Sequence, residues 1–317
     1  MAPVADSPEI LPITPKTAKS SPGVDYFDAA TTTPEMVIDS LVRNGGCFVK
    51  NLLSTQEVDT IVSDIRPYID ADVAWTGDFF PKETRRVCSL AEKSPTFIHR
   101  VLANPLYLEV CDKMLSSEIE SWTGDVYEKS ISPPQVNATI AFSIGPGARA
   151  QGLHRDSIAH HNRHPAITAA EYKMGRDSAI DIFVAGKKAT KANGTTRFIP
   201  GSHLEHYLEK PDESRAIYAE MDPGDAFIML ASCYHGGSAN TTENEERLML
   251  AGFMTKGYLR QEENMYLGVS QEAVKQYPRH IQDILGYGLS APFLGWVDLK
   301  HPRKVLYPDE DLDDDMY

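Results

Sequence analysis

The chain has 317 residues, a hydrophobic share of 42% and a formal net charge of −14. The apolar share is enough for a sizeable core, and the acidic balance excludes nucleic-acid binding through a broad basic surface. The four cysteines have no C-x-x-C spacing, so they indicate neither a disulfide framework nor a zinc knuckle. No stretch approaches the roughly 20 apolar residues of a membrane span, and no signal-peptide pattern opens the chain, which predicts a cytoplasmic protein.

Composition divides the chain into three regions. Residues 1–25 are rich in Pro, Ser, Thr and Lys without an apolar period, which predicts a flexible N-terminal arm. Residues 301–317 contain a run of aspartates, which predicts a solvated acidic tail. Residues 26–300, between these two segments, are predicted to form a single domain.

Helix start signals dominate the first half of this domain. The run 33–43 begins with a threonine N-cap and a proline at the first helical position, and a glycine pair follows it. Residues 54–69 begin with a capping box and continue with valine and isoleucine at helical spacing. Two more helices, each opened by a proline, are predicted within residues 94–115. A strand is predicted at 47–52, and residues 71–92 are predicted to be a loop.

The pattern changes to β from Pro133 onward. Many short runs with Gly and Pro turns between them predict a sandwich or barrel, with helices covering it. Residues 258–290 are predicted to be helical and loop material. The predicted strands lie at about 136–144, 149–156, 179–186, 195–199, 226–230 and 247–254.

An H-x-D pair in the second of these runs is the centre of the functional interpretation. On a strand, His154 and Asp156 would point to the same face, because they are two residues apart. A later strand could bring His235 to the same place. Two imidazoles and one carboxylate on one side of an ion form the facial triad of non-haem Fe(II) oxygenases, which leaves positions open for co-substrates. The sequence therefore predicts these three residues as metal ligands.

Three more residues fit an organic acid bound beside such an ion. Arg247 could form a bidentate pair with a carboxylate, such as the distal one of 2-oxoglutarate. The alternative for this arginine is an ordinary ion pair with a neighbouring glutamate. Thr196 could add a hydroxyl to the same carboxylate. Gln151 could add an amide donor, although on a regular strand it would face away from the ligands and would need a bulge or turn.

Two groups of side chains could lie around the metal site, as part of a substrate pocket or of a loop over it. Four aromatic residues could line an apolar substrate pocket, and core packing is an equal alternative for each of them: Tyr68, Trp75, Phe79 and Phe80. Three histidines stand in a polar insertion without a carboxylate pattern: His160, His161 and His164. This insertion is predicted to be a solvated loop, with a lid over the pocket as the alternative.

The segment 143–156 resembles the metal-binding strand of the phytanoyl-CoA dioxygenase-like family. Residues 193–203 are similar to the N-G-x-T-x-x-I-P-G-S-H segment of that family. Gly224-Asp225-Ala226 and His235-Gly236-Gly237-Ser238 follow in the same order. The resemblance covers roughly residues 30–290 and is closest to the fungal branch that modifies meroterpenoids and alkaloids.

The resemblance implies a mainly β chain with flanking helices around a double-stranded β-helix (jelly-roll, cupin-like) core. It implies Fe(II), with 2-oxoglutarate and O2 as co-substrates and ascorbate as a supporting reductant. Such an enzyme oxidises an unactivated C–H bond of a fungal natural product such as a meroterpenoid, by hydroxylation, desaturation or rearrangement, in one step or several. A homodimer is also implied. Asp156 argues against the halogenating variant, in which a small residue leaves this ligand position to chloride.

Two alternatives stay open beside this hypothesis. The family name suggests a fatty acyl-CoA hydroxylase, but the phosphates of that substrate favour a basic entrance, whereas this chain is acidic. The other alternative is a jelly roll that binds a metal or small ligand without turnover. Lost ligands usually mark such proteins, and the H-x-D pair and His235 are both kept here.

Overall fold

The computed structural model describes residues 23–310 and residue 312. Most of the flexible arm predicted for residues 1–25 therefore lies outside the described residues. The same holds for residue 311 and residues 313–317 of the predicted acidic tail.

The strands among the described residues are Asp25–Asp28 (β1), Gly46–Lys50 (β2), Thr84–Cys88 (β3), Ser117–Thr123 (β4), Val126–Ser132 (β5), Pro134–Ile144 (β6), Ala179–Ala185 (β7), Thr196–Phe198 (β8), Ile217–Tyr218 (β9), Ala226–Leu230 (β10), His235–Gly237 (β11) and Arg247–Lys256 (β12). The α-helices are Pro34–Asn44 (α1), Thr55–Ala71 (α2), Leu90–Lys93 (α3), Pro95–Phe97 (α4), Pro105–Leu115 (α5), Met265–Gly268 (α6), Gln271–Lys275 (α7) and Arg279–Gln282 (α8). Two π-helical turns occupy Ile98–Leu102 and Asp283–Tyr287. Short 3-10 turns lie at Asp156–His160, Ala169–Glu171, Ser202–Leu204, Glu213–Arg215 and Pro302–Val305.

The strands form a large sheet and a small one. In the described chain the large sheet has the order β1-β2-β10-β7-β12-β6-β3, and the small sheet has the order β11-β8-β9. All pairings in both sheets are antiparallel except the parallel edge pair β1–β2. The hairpin β4–β5 stands apart from both sheets. The architecture is mainly β with flanking helices, as predicted.

Helices cover one side of the large sheet, and the other side faces the small sheet. On the helical side, a Cβ added at Gly252 would lie 2.5 Å from the Leu102 side chain, so the helical layer rests directly on β12. On the opposite side, the ring of Phe183 in β7 lies 6.1 Å from the ring of His235 in β11. The predicted site residues therefore lie between the two sheets.

The helix starts predicted from the sequence are confirmed. Thr33 caps α1 through its side chain, and Ser54 forms a reciprocal capping box with Glu57 at the start of α2. Gly45 ends α1 with a φ of 80°, in the left-handed region that glycine enters without strain. A Cβ at this position would also lie 2.2 Å from the Cys233 sulfur, so the turn has no room for a side chain.

Two predictions of local structure are wrong, and one element was not predicted. The loop predicted at 71–92 contains β3, an edge strand with two consecutive arginines and no regular alternation of buried and exposed residues. The hairpin β4–β5 was not predicted, because most of its residues are exposed and it carries no buried face to set a period. The strand predicted at 149–156 is an extended segment with one isolated bridge, followed by a 3-10 turn.

The described beginning of the predicted tail packs onto the rest of the chain. Leu306 is buried, and Arg303 forms an ion pair with Asp283. The division of the chain into arm, domain and tail stays a prediction. Within residues 23–310, none of the helices combines the length and the apolar composition that crossing a membrane requires.

Candidate metal centre and acid-binding cavity

The structure brings the three predicted ligands together. The possible ligand atoms of His154, Asp156 and His235 all lie within 4.8 Å of one another. The two carboxylate oxygens of Asp156 face one imidazole each, with 3.4 Å to His154 Nε2 and 3.4 Å to His235 Nε2. One ion could therefore contact all three side chains from one side, and the remaining positions would face the cavity described below.

Backbone pairing places the two histidines opposite each other. His154 and His235 form an isolated antiparallel bridge, in which each N–H donates to the other's carbonyl at 2.9 Å. Directly opposed residues project their side chains to the same side. Asp156 joins them through the 3-10 turn that it begins, so the predicted H-x-D geometry arises from a bridge and a turn instead of a regular strand.

Hydrogen bonds orient both imidazoles. His154 Nδ1 lies 2.8 Å from the Gly152 carbonyl, and His235 Nδ1 lies 3.2 Å from the Cys233 carbonyl. A carbonyl can only accept, so each Nδ1 carries the proton and each Nε2 presents its lone pair to the ion position. Partners of this kind are typical of metal-bound histidines.

Burial and the neighbouring charges shift the pKa values of the three candidate ligands. Burial and the neighbouring His235 lower the pKa of His154. Burial also opposes the charged forms of His235 and Asp156, but their mutual attraction outweighs it, so the pKa of His235 is raised and that of Asp156 is lowered. A carboxylate held in its charged form is suited to offset the charge of a divalent ion.

Arg247 lies at the other side of the same cavity without a counter-ion. Its side chain is buried, and no hydrogen bond or ion pair of its guanidinium is present among the described residues. Burial lowers its pKa to about 10. The predicted alternative, an ion pair of Arg247 with Glu245 or Glu246, is not present among the described residues. Asn193 donates to the Glu245 carboxylate, and Glu246 pairs with Arg66 and Lys187. A buried cation without a partner favours binding of an anion.

Gln151, Thr196 and Arg247 converge on Gly237. The Gly237 N–H donates to Gln151 Oε1 at 3.0 Å, and Thr196 pairs directly with Gly237 across the small sheet. A Cβ at Gly237 would lie 3.2 Å from that oxygen and 3.4 Å from Arg247 Nη2. Gln151 reaches the cavity because its segment is not a regular strand. Arg197 turns away and pairs with Glu213.

Three polar residues of the cavity were not predicted from the sequence. Thr84 lies in a row with Ile144 and Arg247 across β3, β6 and β12, and its buried hydroxyl has no hydrogen-bond partner among the described residues. The Ser238 hydroxyl, next to Gly237, is likewise buried without a partner in the described part of the chain. Glu262 lines the cavity from the loop after β12. Ser238 could have been found in the family motif, but the other two carry no local signal.

Apolar side chains form the walls of the cavity. Of the four aromatic candidates, Phe79 and Phe80 line it, whereas Tyr68 is exposed beside Lys93 and Trp75 packs against Phe80. None of the three histidines of the polar insertion is among the lining residues. Further apolar wall residues are Ile140, Phe142, Phe183, Met249 and Phe253.

The cavity is small and open at one side. Its volume is about 130 Å³, which is less than the roughly 300–1,000 Å³ of pockets for drug-sized ligands. A larger groove of about 790 Å³ lies between the Pro133–Gln135 segment and the C-terminal residues, away from all the candidate ligands. We place the site in the smaller cavity because the ligand set, the unpaired guanidinium and the apolar walls are all there.

A candidate metal-binding triad of two histidines and one aspartate lies between the two sheets of a mainly β fold, and comparison with known proteins identifies the family. The model of the phytanoyl-CoA dioxygenase (PhyH) family matches residues 41–249. Dioxygenase peniF of Penicillium patulum is 43% identical over 90% of this chain and 92% of its own length. Dioxygenase himG of Aspergillus japonicus is 41% identical over 88% of this chain and 89% of its own. The chain therefore belongs to the phytanoyl-CoA dioxygenase family and is a dioxygenase.

Solved structures show the same fold at low identity. HygX of Streptomyces hygroscopicus, with nickel, 2-oxoglutarate and hygromycin B bound, has a TM-score of 0.51 and 15% identity over 71% of this chain and 88% of its own. EctD of S. alaskensis, with bound Fe, has a TM-score of 0.50 and 18% identity over 71% and 78% of the two chains. The predicted double-stranded β-helix core is confirmed.

Proposed function

We propose that this chain uses Fe(II), 2-oxoglutarate and O2 to oxidise an unactivated C–H bond of a small, largely apolar natural product of a fungus, such as a meroterpenoid. The observation that carries the proposal is the joint presence, in one cavity, of the His154–Asp156–His235 triad and the buried, unpaired Arg247. The triad suits a divalent iron ion, and the arginine suits the far carboxylate of a keto acid.

In this proposal each side chain has a distinct role. The triad holds the ion, and the Gly152 and Cys233 carbonyls keep the two imidazoles in the tautomer that ligation requires. Bound iron, with the keto acid and O2, supplies the oxidant for C–H cleavage. Arg247 binds the distal carboxylate, and Gln151 is held by Gly237 with its amide NH2 free to donate.

Hydroxyl groups complete the acid-binding end of the cavity. The side chains of Thr84, Thr196 and Ser238 line the cavity with Arg247. The hydroxyls of Thr84 and Ser238 are buried and have no partner within the described chain. A carboxylate can only accept hydrogen bonds. The hydroxyls and the Arg247 guanidinium would donate to the bound carboxylate and replace the water that it loses on entering the cavity.

The phenylalanines around the opening would bind the substrate and exclude water. Because the enclosed volume is small, the keto acid would fill most of it and the substrate body would lie at the mouth. The charged residues that line the cavity can also be compared with the alternative substrate, an anionic acyl-CoA. Glu262 and Arg149 both line the cavity. The charge of Glu262 disfavours an anionic ligand, and the guanidinium of Arg149 is engaged with the Asp78 carbonyl.

Metal uptake and keto-acid binding test the proposal separately from any substrate. Anaerobic protein with Fe(II) and 2-oxoglutarate should develop the visible charge-transfer band of an iron–keto acid chelate. His235→Ala should weaken metal binding more than about 100-fold, beyond the 10–100-fold that second-shell partners contribute. His280→Ala, an exposed histidine outside the site, is the matched control. Unchanged metal affinity in His235→Ala would contradict the proposed ligand set.

The homodimer and the cytoplasmic location predicted from the sequence also belong to this proposal. The hairpin β4–β5 supports the dimer, because Trp122 and Tyr127 pack on each other with ring centres 5.0 Å apart while both are exposed. Ile119 and Val126 of the same hairpin are exposed as well. Sedimentation velocity on the full chain should show a dimer at micromolar concentration, and a monomer at all concentrations would contradict it.

A further inference from the structure

The carboxylate of Glu262, which forms no ion pair within the described chain, lines the cavity beyond the triad. Glu262 lies in the loop that follows β12, together with Asp156 and Phe253 among the lining residues. Its backbone N–H donates to Asn137 Oδ1 at 2.9 Å, and Asn137 Nδ2 lies 3.4 Å from its carboxylate. One asparagine therefore fixes both the backbone and the side chain of this glutamate.

A β-bulge aims that asparagine at Glu262. Phe253 pairs with Ala138 and Met254 pairs with Val136, so Asn137 is the extra residue on β6. An extra residue of this kind turns its side chain out of the regular alternation, and bulges are frequent next to active sites. The position of Glu262 is thus fixed by a residue of the large sheet.

Glu262 and Arg247 belong to opposite ends of the cavity. Arg247 pairs with Ile144 at one end of β6, and the bulge whose Asn137 holds Glu262 lies beside Ala138 at the other end. Six residues separate these two positions, which corresponds to about 20 Å along a strand. The end that suits an anionic keto acid is therefore distinct from the end that carries the glutamate.

The glutamate end of the cavity is rich in carboxyl groups. No ion pair of Glu262 is present among the described residues. Burial and the charge of Asp156 raise its pKa. Asp181 pairs with Phe253, which lines the cavity, so both side chains project to the same side of the sheet. Asp181 is fully buried, and neither of its carboxylate oxygens has a hydrogen-bond partner within residues 23–310.

Arg149 also lines the cavity, but it forms no ion pair with Glu262 among the described residues. Its side chain is exposed, and its guanidinium donates to the Asp78 carbonyl. The charges of a divalent ion and Arg247 would be balanced by Asp156 and a bound keto-acid dianion. Glu262 would then still have no ion-pair partner within the described chain.

We propose that the substrate carries a basic nitrogen whose N–H donates to the carboxylate of Glu262, while its apolar body packs against Phe80 and Phe142. The inference rests on the proposed function and narrows its substrate class to amines with a hydrophobic skeleton. A charge-assisted bond to a carboxylate is roughly twice as strong as a neutral one, so the glutamate would select amines over neutral analogues. The aromatic walls can contact the ammonium group through cation–π interactions and can also pack against the apolar body of the substrate.

Three probes with one skeleton separate charge from shape: 3-phenylpropylamine, 3-phenylpropan-1-ol and 3-phenylpropanoate. Their binding is measured by calorimetry to the full chain loaded with Ni(II) and 2-oxoglutarate, at neutral pH and without turnover. We expect the amine to bind at least about tenfold more tightly than the alcohol, and the carboxylate to bind most weakly. In Glu262→Gln the advantage of the amine should fall to twofold or less. Glu243→Gln removes an exposed charge that does not line the cavity, and this variant should keep the preference for the amine.

The inference is overturned if the amine binds no more tightly than the alcohol to the native chain, if Glu262→Gln leaves the preference unchanged, or if the carboxylate binds best. Binding of 2-oxoglutarate is measured in parallel and should be equal in the native chain and in Glu262→Gln. Loss of metal or 2-oxoglutarate binding by the native chain would instead refute the proposed function, so the two failures are distinguishable.

Discussion

Replacing Arg247 by methionine removes a buried guanidinium and keeps much of its apolar stem. Burial holds the pKa of this group at about 10, roughly 2.5 below its ordinary value, and a difference of one in pKa corresponds to about 1.4 kcal/mol. The folded state therefore disfavours the charged form by about 3 kcal/mol at every pH below 10. The penalty is relieved only as the pH rises above 10. We expect Arg247→Met to raise the free energy of unfolding of the metal-free protein by about 2–3 kcal/mol.

The same change should have the opposite effect on co-substrate binding. A hydrogen bond to a charged group contributes about 1.5–3 kcal/mol, and a bidentate pair with a carboxylate makes two of them. Losing the pair should cost at least about 3 kcal/mol, which corresponds to a roughly 150-fold weaker affinity for 2-oxoglutarate. The Arg247→Met variant should thus be more stable than the native chain and should bind 2-oxoglutarate more weakly.

Chemical denaturation of the metal-free protein and calorimetry with 2-oxoglutarate on the Ni(II)-loaded protein measure the two effects. Arg303→Met is the control, because Arg303 is also buried but is paired with Asp283 outside the cavity. This control should lose stability and keep its affinity for 2-oxoglutarate. The reasoning is refuted if Arg247→Met is less stable than the native chain, or if it binds 2-oxoglutarate within threefold of it.

Two further predictions concern the metal and the glycine at the centre of the site. Metal affinity should fall as the pH is lowered through the pKa of His235, which Asp156 raises despite burial, because protons compete with the ion for the imidazole. The metal-free protein should instead lose stability as the pH rises through that pKa, so titration calorimetry and denaturation should show opposite pH trends; parallel trends would contradict this. Gly237→Ala should weaken 2-oxoglutarate binding about tenfold and leave metal affinity unchanged, because the added Cβ would lie 3.2 Å from Gln151 Oε1 and 3.4 Å from Arg247 Nη2. If calorimetry gives Gly237→Ala the same 2-oxoglutarate affinity as the native chain, the site tolerates the methyl group and the prediction is contradicted.

Local signals were enough to predict the starts of the long helices and the residue types of the candidate ligands. A capping box or an N1 proline acts within one helical turn, so the starts of α1 and α2 can be predicted without knowledge of the fold. The ligand triad was predicted from residue types and order along the chain. The geometry that joins the ligands was not, because the bridge between His154 and His235 forms between segments about eighty residues apart.

The position of Gln151 shows how a wrong local structure affects a functional interpretation. On a regular strand this residue would face away from His154, and the sequence interpretation required a bulge or turn. The segment instead bonds to β11 only at separated points, where Gln151 N–H donates to the Gly237 carbonyl and His154 pairs with His235. An extended segment without a continuous ladder is not bound to strict alternation, so both residues can face one cavity.

Strand register decides which distant residues share the cavity, and no local pattern encodes it. Thr84 and Arg247 lie in one row, on either side of Ile144, only because β3 and β12 both pair with that residue of β6. A slip of one residue would turn every side chain of that strand to the other face. The bulge at Asn137 takes up one extra residue, so the stretch from Ala138 to Ile144 keeps its register while the asparagine itself is redirected to Glu262. The two ends of the cavity therefore depend on the same pairing of β6 and β12, and a change at the bulge would alter the substrate end without moving the acid-binding end.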